Sequence, residues 1–476
     1  MGARKHSSKS SNGVANRTVN VTKENYSQLL ERAIKWLLND GIFANLSTHG
    51  NTSWQFASLV SLAVLWVWSD QSQLTAKFEN AHRLSIKLFG NAALHSFQGM
   101  MQALVKKSGT IIPILWDRLH TQMEQIAGNH WRVGKWLPLA CDGSYFSTPR
   151  TQKNEKQFGF KNYGSGKMSK SRKKWKNKKK RSKPLFTSIK PQVWLTLVWH
   201  MGLRMPWCWK MAGAYVKERE HLKSFLEKMK FPENTLFCAD AGFTGYELWA
   251  AMRKAGHHFV IRVGANVNLL SKLANAQTRD DLVFLWPAKL ARKNQPPMML
   301  RLIKIQDSRG TMYLVTSVLS TRDLSNTMAH RLYKMRWGIE VQFRSVKQTF
   351  GKRKLKSRTP ENVLVELEWS LVGLWFIQLL AAREQIKIGS LPQYSSVALA
   401  LLAIQEAMRS HSDPAPNKQA LKKALSQAVT DQYKRKSRKT ARYKPNYNDK
   451  PTSRKPKIRK ATKAQRKLFD SLAQAA

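Results

Sequence analysis

Apolar residues near the start of the chain follow a helical period. Between Lys23 and about Gly128 they recur every three or four positions, the spacing that places side chains on one face of an α-helix. Gly90 and Gly109 stand where helices are expected to stop. The pattern predicts an all-helical N-terminal domain, whose first helix carries the apolar positions Leu29, Leu30, Ile34, Leu37 and Leu38.

The pattern changes at Trp136, where short apolar runs broken by turn residues replace the helical period. Such runs are typical of β-strands. They are LPLACDGSYF, PQVWLTLVWHMGL, PWCWKMAGAYV and TLFCADAGF, with a helix predicted over Glu218–Met229 before the last of them. The sequence therefore predicts a mixed sheet covered by at least one helix.

Further strands are predicted before helices resume near the middle of the second half. After a predicted helix over Gly245–Ala255, the apolar runs HHFVIRVG, LVFLW, MMLRLIKIQ and MYLVTSVL extend to about Ser320. We interpret this stretch as a mostly β insertion. Helices are predicted over Leu324–Phe350 and Pro360–Gln385, the second of which carries the apolar run LVGLWFIQLL.

Charge indicates a polyanionic partner. The chain has 82 Lys and Arg against 29 Asp and Glu, a formal net charge of +53. Nucleic acid fits best, because each cation that neutralises a phosphate releases counterions. A membrane surface fits less well, because the basic residues lie in hydrophilic runs that contain Pro and Ser. Two such runs, Lys167–Lys183 and Tyr433–Lys467, have too few apolar residues to fold alone and are expected to be unstructured in the free protein.

The cysteines and the chain start argue against secretion. Cys141, Cys208 and Cys238 lack any paired C-x-x-C spacing, so neither a disulfide framework nor a zinc site is indicated. Met1–Arg17 is polar and basic, without the apolar stretch of a signal peptide. The apolar run Trp54–Trp68 is shorter than the roughly 20 residues that a membrane span needs. We expect a reducing compartment and no membrane partner.

Two aspartates each close an apolar run that is predicted to be a strand. Asp142 stands in PLACDGS and Asp240 in LFCADAGF, in a chain that is poor in acids. Both carboxylates are therefore expected at strand ends. Asp before Gly or Ala-Gly is also common in turns, so for either residue alone a purely structural role is the simpler interpretation.

One predicted helix combines a glutamate with several cations. At about 100° per residue, Tyr333, Arg336, Glu340, Arg344 and Lys347 fall within an arc of roughly 80°. The adjoining arc is apolar and consists of Leu332, Met335, Ile339, Phe343, Val346 and Phe350. Such a stripe suits holding a phosphate beside a metal ion. The alternative is a set of surface ion pairs four residues apart, each worth a few tenths of a kcal/mol.

Together the three acids indicate a site for divalent metal ions. Two strand-end aspartates and a helix-borne glutamate can converge as hard oxygen ligands for two Mg²⁺ ions about 3.5 to 4 Å apart. Carboxylates alone would repel a DNA phosphate. Metal ions, together with the cations Arg336 and Lys347, would reverse the local field.

These residues resemble the DDE transposases of the IS-four family of bacterial insertion sequences. The family signature has Tyr, Arg, Glu and Lys separated by two, three and six residues, as in Tyr333, Arg336, Glu340 and Lys347. The family's first acid lies in a D-G-S/T context, which Asp142-Gly143-Ser144 matches, and its second in D-x-G-F, which Asp240-Ala241-Gly242-Phe243 matches. The resemblance covers about Trp136 to Gln385.

The resemblance implies a fold, a reaction and roles for the site residues. The implied fold is α+β, a ribonuclease-H-like mixed sheet with a β insertion before the Glu helix and an all-helical N-terminal domain. The implied reaction is cut-and-paste transposition that uses two Mg²⁺ ions, with Mn²⁺ as a substitute. Catalytic and metal-binding roles fall to Asp142, Asp240 and Glu340, and phosphate contacts to Tyr333, Arg336, Lys347 and Arg344. By analogy, Trp286 would stack on a flipped base, although a core tryptophan is the simpler interpretation.

A chain of this length is expected to form several domains. We predict a flexible basic N-terminus over 1–22, a helical, DNA-binding domain over 23–130, a first part of the catalytic core over 131–256 with a basic loop over 164–184, a β insertion over 257–322, a second part of the core over 323–410, and a basic tail over 411–476. The implied partners are double-stranded DNA, as terminal inverted repeats and target, and a second copy of the chain in a synaptic complex, in the bacterial cytoplasm at the nucleoid.

Two alternatives stay open on the sequence alone. A tyrosine recombinase would use Tyr333 as the nucleophile, with His330 and Arg336 nearby, and would not need the acids. A decayed transposase would bind DNA without cutting it. Metal-free activity would separate the first alternative from a metal-dependent enzyme.

Overall fold

The structure is a computed structural model that describes residues 26–39, 41–47, 54–90, 94–159, 191–213, 216, 218–274, 279–307, 310–410, 421–430 and 455–474. The basic run Lys167–Lys183 and most of the predicted N-terminus and tail lie outside these ranges. The helices are α1 (Tyr26–Leu38), α2 (Phe56–Trp68), α3 (Leu74–Phe89), α4 (Phe97–Ala127), α5 (Gln152–Phe158), α6 (Glu218–Lys228), α7 (Tyr246–Lys254), α8 (Ala288–Ala291), α9 (Asn326–Met335), α10 (Gly338–Arg344), α11 (Pro360–Lys387), α12 (Val397–Ser410), α13 (Leu421–Ser426) and α14 (Lys463–Gln474).

The described part of the N-terminal region is helical, as its apolar period predicts. Gly90 ends α3 in the left-handed conformation, with φ of 68°. Ser96 begins α4 by accepting a hydrogen bond from the Gly99 N–H at 3.1 Å, which satisfies one of the free amides of the first turn. The prediction that Gly109 stops a helix is wrong, because Gly109 and even Pro113 lie inside α4. Packing of the flanking apolar turns outweighs their weak helix propensity.

The N-terminal helices pack directly on α11. The indole N–H of Trp68 in α2 donates to the backbone oxygen of Gly373 at 2.9 Å. The indole N–H of Trp369 donates to the hydroxyl of Ser108 in α4 at 2.9 Å. One hydrophobic cluster runs from these helices through the sheet to α11, so the predicted helical domain shares its core with the rest of the chain.

Helix α11 is the most apolar long helix of the described chain. Among the described residues it alone has the length and composition that would cross a membrane, and 89% of its most apolar stretch is buried inside the protein. Its side chains are covered by α2, α4, α12 and α13. The burial identifies it as the central core helix.

Five strands form the part of the sheet that carries the predicted catalytic aspartates. They are β1 (Leu137–Ser147), β2 (Gln192–His200), β3 (Met205–Gly213), β4 (Thr235–Ala239) and β5 (His258–Val263). Their order across the sheet is β3-β2-β1-β4-β5. β2 runs antiparallel to β1 and β3, whereas β1, β4 and β5 are parallel. This is the ribonuclease-H-like arrangement, and the fold-class prediction is confirmed.

The insertion continues the same sheet instead of forming a separate one. Its strands are β6 (Asn268–Ser271), β7 (Leu282–Leu285), β8 (Met298–Asp307) and β9 (Gly310–Thr316). β9 pairs antiparallel with β5. Strand β5, which the sequence analysis grouped with the insertion, pairs in parallel with β4 and is the outermost strand of the core.

The end of the basic tail is folded. The strand β10 (Lys457–Lys460) pairs in parallel with β6 and completes a ten-stranded sheet. Helix α14 packs Leu468, Phe469 and Leu472 against a small second hydrophobic cluster in the insertion. The expectation of an unstructured run is therefore wrong for this part, because the insertion supplies the apolar surface and strand partner that the tail lacks.

The predicted helix Leu324–Phe350 is interrupted. Helix α9 ends at Met335, α10 begins at Gly338, and a wider π-type turn spans Ser345–Thr349. A Cβ atom at Gly338 would lie 2.1 Å from the Trp199 ring. The backbone can pass this indole only without a side chain, and the chain tightens there to hydrogen bonds three residues apart, such as Glu340 N–H to Trp337 O at 3.2 Å.

The close packing of α2 on α11 predicts opposite effects for two Gly→Ala substitutions. A Cβ atom at Gly373 would lie 2.8 Å from Val67 Cγ1, whereas one at the exposed Gly109 would meet nothing within 4 Å. Gly373→Ala should lower the free energy of unfolding by about 1 to 3 kcal/mol. Gly109→Ala should raise it by up to about 1 kcal/mol, because alanine favours helix. Urea unfolding of both variants checks this, and equal stabilisation by both would contradict tight packing at Gly373.

A second prediction concerns the carboxyl group of Glu368 on α11. Burial raises its pKa from the ordinary 4.5 to about 7, although the Trp209 indole N–H, 3.4 Å away, partly offsets this. Below pH 4.5 the carboxyl group is protonated in both the folded and the unfolded state, so its burial does not reduce stability. As the pH rises through 7 the buried group must ionise, and the folded state loses stability relative to the unfolded state. Glu368→Gln should therefore increase stability at pH 8 by up to about 3 kcal/mol, with little change at pH 4. Glu361→Gln, an exposed change on the same helix, is the control for these melting curves.

Candidate active site

The two predicted aspartates lie side by side because their strands are parallel neighbours. In the pairing of β1 with β4, Cys141 is opposite Ala239, and Asp142 and Asp240 are the next residues of the two strands. The carboxylate of Asp142 accepts a hydrogen bond from the Gly143 N–H at 2.8 Å. That of Asp240 accepts one from the Gly242 N–H at 2.7 Å. Each Asp thus accepts a hydrogen bond from a nearby glycine amide, which lies within β1 for Asp142 and in the turn after β4 for Asp240.

Glu340 faces this pair across the guanidinium of Arg336. Arg336 Nη1 lies 3.4 Å from Asp142 Oδ2, and Nη2 lies 3.7 Å from Glu340 Oε1. The Arg336 side chain is 7% exposed, whereas that of Glu340 is 41% exposed. The structure therefore brings the three predicted acids to one place, with an arginine bridging the first and the third.

A fourth carboxylate, which the sequence analysis did not single out, joins the site. Glu218 is the first residue of α6, and its Oε1 lies 2.3 Å from the position that a Cβ atom would take at Gly143. Its Oε2 lies 3.9 Å from the corresponding position at Gly242. In the sequence the only signal is an acid at a helix start, which is ordinary because acids there interact favourably with the helix dipole.

The crowding of acids shifts their proton affinities. Burial raises the pKa of Asp142 to about 6, the Gly143 amide and Arg336 lower it, and Asp240 and Glu340 raise it further. Burial, followed by the charges of Asp142 and Asp240, raises the pKa of Glu218 to about 7. Arg336 thus neutralises only part of the negative charge, and the rest of the site attracts a cation.

The donor set suits a divalent ion, although the side chains do not yet form a ligand cage. Carboxylate oxygens are the ligands that Mg²⁺ and Mn²⁺ prefer. Among the described residues, no three His, Cys, Asp or Glu side chains lie close enough to share one ion. Gly143 and Gly242 let the carboxylates of Glu218 and Asp240 lie close to the backbone, and Arg336 stands between Asp142 and Glu340. Binding of an ion there requires a side-chain movement.

The other predicted phosphate-contact residues lie on either side of the break in the helix at Gly338. Lys347 Nζ donates to the hydroxyl of Ser144, two residues after Asp142, at 2.7 Å. Tyr333 is buried, with the Arg336 guanidinium carbon 5.4 Å from its ring centroid. Arg344 is exposed on α10. The expected stripe is divided between two helices because the chain is interrupted at Gly338: Tyr333 lies on α9, whereas Glu340 and Arg344 lie on α10. The predicted apolar seam is buried or partly buried in the core.

Trp286 lies in the insertion and belongs to a core. It is 5% exposed, and its indole N–H donates to the Gln295 backbone oxygen at 2.8 Å. The ring also forms part of the wall of a cavity of about 560 Å³, together with Tyr246, Lys457 and Arg459. These surroundings are those of a core tryptophan, the simpler of the two interpretations.

A groove beside the site carries an aromatic residue that the sequence analysis did not single out. Trp337 is 54% exposed, and its ring centroid lies 5.9 Å from the Arg336 guanidinium carbon. With Arg132, Arg331 and Lys334 it lines a groove of about 600 Å³. A cationic groove with an exposed indole has the features of a single-stranded or frayed nucleic-acid contact.

Comparisons with known proteins place this site within one domain family. Residues 138–376 match the family model described as the transposase DDE domain. Transposase InsG for insertion sequence element IS4, from Escherichia coli (strain K12), is 26% identical over 328 residues, 65% of this chain and 67% of that protein. Among solved structures, a cryo-EM structure of the piggyBac transposase synaptic complex with hairpin DNA matches with a TM-score of 0.39 and 11% identity, over 86% of this chain and 87% of that chain.

The bridge formed by Arg336 predicts a pH-dependent loss of stability when it is removed. Arg336 lowers the pKa of Asp142, so its contribution is present at high pH and is lost as the pH falls through about 6. In metal-free buffer, Arg336→Gln should reduce the unfolding free energy by roughly 1 to 3 kcal/mol at pH 8 and by less at pH 5. Arg331→Gln, which changes an exposed cation on α9, is the control. A penalty for Arg336→Gln that does not change with pH would contradict the bridge to Asp142.

Proposed function

The chain belongs to the transposase DDE domain family, and from this we propose that it is a transposase that moves a DNA element by metal-dependent cut-and-paste. The observation that carries this proposal is the placement of Asp142 and Asp240 at adjacent parallel strands, with Glu340 facing them. The proposed catalytic and metal-binding residues are these three acids. The proposed substrates are the terminal inverted repeats of the element and the target DNA.

The proposed reaction consists of two phosphodiester exchanges. In the first, water attacks a phosphorus atom at the end of the element, and the bond to the 3′ oxygen breaks to leave a free 3′-hydroxyl. In the second, that hydroxyl attacks a phosphorus atom of the target and displaces another 3′ oxygen. Two divalent ions, when bound, supply charge neutralisation and activation of the attacking oxygen, and Asp142, Asp240 and Glu340 would hold them.

The cations around the acids would place the DNA backbone. Lys347 is held at Ser144 with its ammonium 4.9 Å from the Tyr145 ring, close enough to the acids to bind a phosphate next to the scissile bond. Arg336 would exchange its carboxylate partners for a phosphate when the acids acquire another counterion. The buried Tyr333 would orient the guanidinium of Arg336. The exposed Arg344 would reach a phosphate farther along the DNA strand.

DNA outside the scissile position has a basic surface to follow. The net charge of +53 provides a strong, salt-dependent attraction to phosphates. The groove that Trp337 lines adds Arg132 and Lys334. Trp286 remains a proposed base-stacking residue, but a base would have to enter the cavity that Trp286 lines. Recognition of terminal repeats by the N-terminal helices and pairing of two chains in a synaptic complex are further parts of this proposal.

The tyrosine-nucleophile alternative fits the structure less well. Tyr333 is 4% exposed, and burial raises the pKa of its hydroxyl group. A nucleophile that attacks DNA must reach the phosphate and lose its proton easily. Tyr333 meets neither requirement in this structure, whereas the acids converge.

Cleavage of a plasmid that carries the native flanks of the gene tests the proposal. Wild type should produce breaks at the flanks in Mg²⁺ or Mn²⁺ and none in EDTA. Asp142→Asn, Asp240→Asn and Glu340→Gln should each reduce the cleavage rate by at least about 100-fold, because each removes an anionic oxygen from the metal site. Asp323→Asn, an exposed acid paired with Lys135, should cleave like wild type.

DNA binding by each variant, measured by gel shift, separates loss of chemistry from loss of the substrate. Cleavage that persists in all three variants would show that the acids are wrongly assigned. Binding without any cleavage by wild type would favour a decayed transposase that only binds DNA.

A further inference from the structure

The carboxylate of Glu218 lies beside Gly143 and Gly242, the glycines that follow Asp142 and Asp240. We propose that Glu218 is a fourth carboxylate of the active site, which binds a divalent ion together with Asp142 and Asp240. This inference rests on the proposed function and extends it, because the three acids of the family signature do not include Glu218.

The first argument is the position of the carboxylate. Glu218 Oε1 fills the space beside Gly143, where a Cβ atom would approach it to 2.3 Å. The Cβ position at Gly242 lies 2.9 Å from Asp240 Oδ1 and 3.9 Å from Glu218 Oε2. This one position is therefore within 4 Å of the carboxylates of both Asp240 and Glu218. Any residue other than glycine at positions 143 and 242 would place its Cβ atom against the carboxylate oxygen atoms of Glu218 or Asp240.

The second argument is how firmly the start of α6 is held. Arg219 donates to the Thr244 backbone oxygen at 2.7 Å. His221 Nδ1 lies 2.8 Å from the hydroxyl of Thr196 on β2, and Leu222 is buried. These contacts join the helix to the strand next to β1 and to the turn after β4. The backbone of Glu218 is thus held beside the site by the residues that follow it.

The third argument is the balance of charge. Arg336 pairs with Asp142 and Glu340. Within the described ranges, no Lys, Arg or His side chain forms an ion pair with Glu218 or Asp240. Repulsion between neighbouring carboxylates costs free energy unless a cation is present. A divalent ion bound by Glu218, Asp142 and Asp240, once these side chains have moved together, supplies that cation.

A purely structural role for Glu218 would be that of an acid at a helix N-terminus. Glu220 in the same turn meets that need and is exposed to solvent. Glu218 instead lies half-buried against the aspartates, where its charge is unfavourable without a cation.

The indole N–H of Trp194 also points to an oxygen atom at this place. It is buried without a partner among the described residues and lies 2.8 Å from the Cβ position at Gly143. It can therefore donate a hydrogen bond to an oxygen atom there.

Titration of the purified full chain with Mn²⁺ tests the proposal through binding instead of catalysis. Glu218→Gln should weaken Mn²⁺ binding, measured by calorimetry, by at least about 10-fold. Its melting temperature without metal should equal or exceed that of wild type, because one repelling charge is removed. Glu220→Gln is the matched control and should bind Mn²⁺ like wild type.

Gly143→Ala provides a second variant that keeps the carboxylate but displaces it. The added methyl group should push Glu218 away and weaken Mn²⁺ binding in the same direction. If both variants bind Mn²⁺ like wild type while Asp142→Asn loses binding, Glu218 is not a ligand and the proposed function stands. If wild type and Asp142→Asn bind Mn²⁺ equally, the metal-binding roles fail together, and this inference fails with them.

Discussion

Parallel pairing of β1 with β4 is the constraint on which the site depends. Parallel pairing keeps the two strands in register, and the residue after the pair Cys141 and Ala239 is an aspartate on both sides: Asp142 inside β1 and Asp240 directly after β4. The backbone ladder thus forces two carboxylates together before any ligand is present. The Gly143 and Gly242 amides and the Arg336 guanidinium offset part of this repulsion. A shift of one residue in this register would turn one carboxylate to the opposite face of the sheet.

The sequence predicts the elements whose causes are local. The expected strand end is correct for Asp240, which directly follows β4, but wrong for Asp142, because β1 continues to Ser147 by pairing with β2. The apolar seam from Leu332 to Val346 is buried or partly buried, as its spacing indicates. The break before Gly338 could not be predicted, because its cause is Trp199, which lies far away in the chain. Glu218 was missed for a similar reason. An acid at a helix start has an ordinary local explanation, and only the sheet topology brings it to Asp240.

The helical part and the sheet part of the chain are joined through α11. Its small residue Gly373 admits α2, and its indoles hydrogen-bond across the interface to α4. The same helix supplies Gln378, whose amide exchanges hydrogen bonds with Gln342 of α10 at 2.8 and 2.9 Å. The helix that carries Glu340 is therefore supported from behind by the element that holds the N-terminal helices. A displacement of those helices would therefore reach Glu340 through packed core residues and not through a linker.

The strand β10 has a consequence for the order in which the protein folds. It pairs with β6 across 188 residues of chain, as in the contact between Ser271 and Arg459. Contacts of such long separation close slowly, because the loop entropy must be lost before the pairing contributes. Until then the outer edge of β6 offers unpaired amides and carbonyls to any extended segment nearby. The insertion can therefore complete its side of the sheet only after β10, 188 residues farther along the chain, has paired with β6.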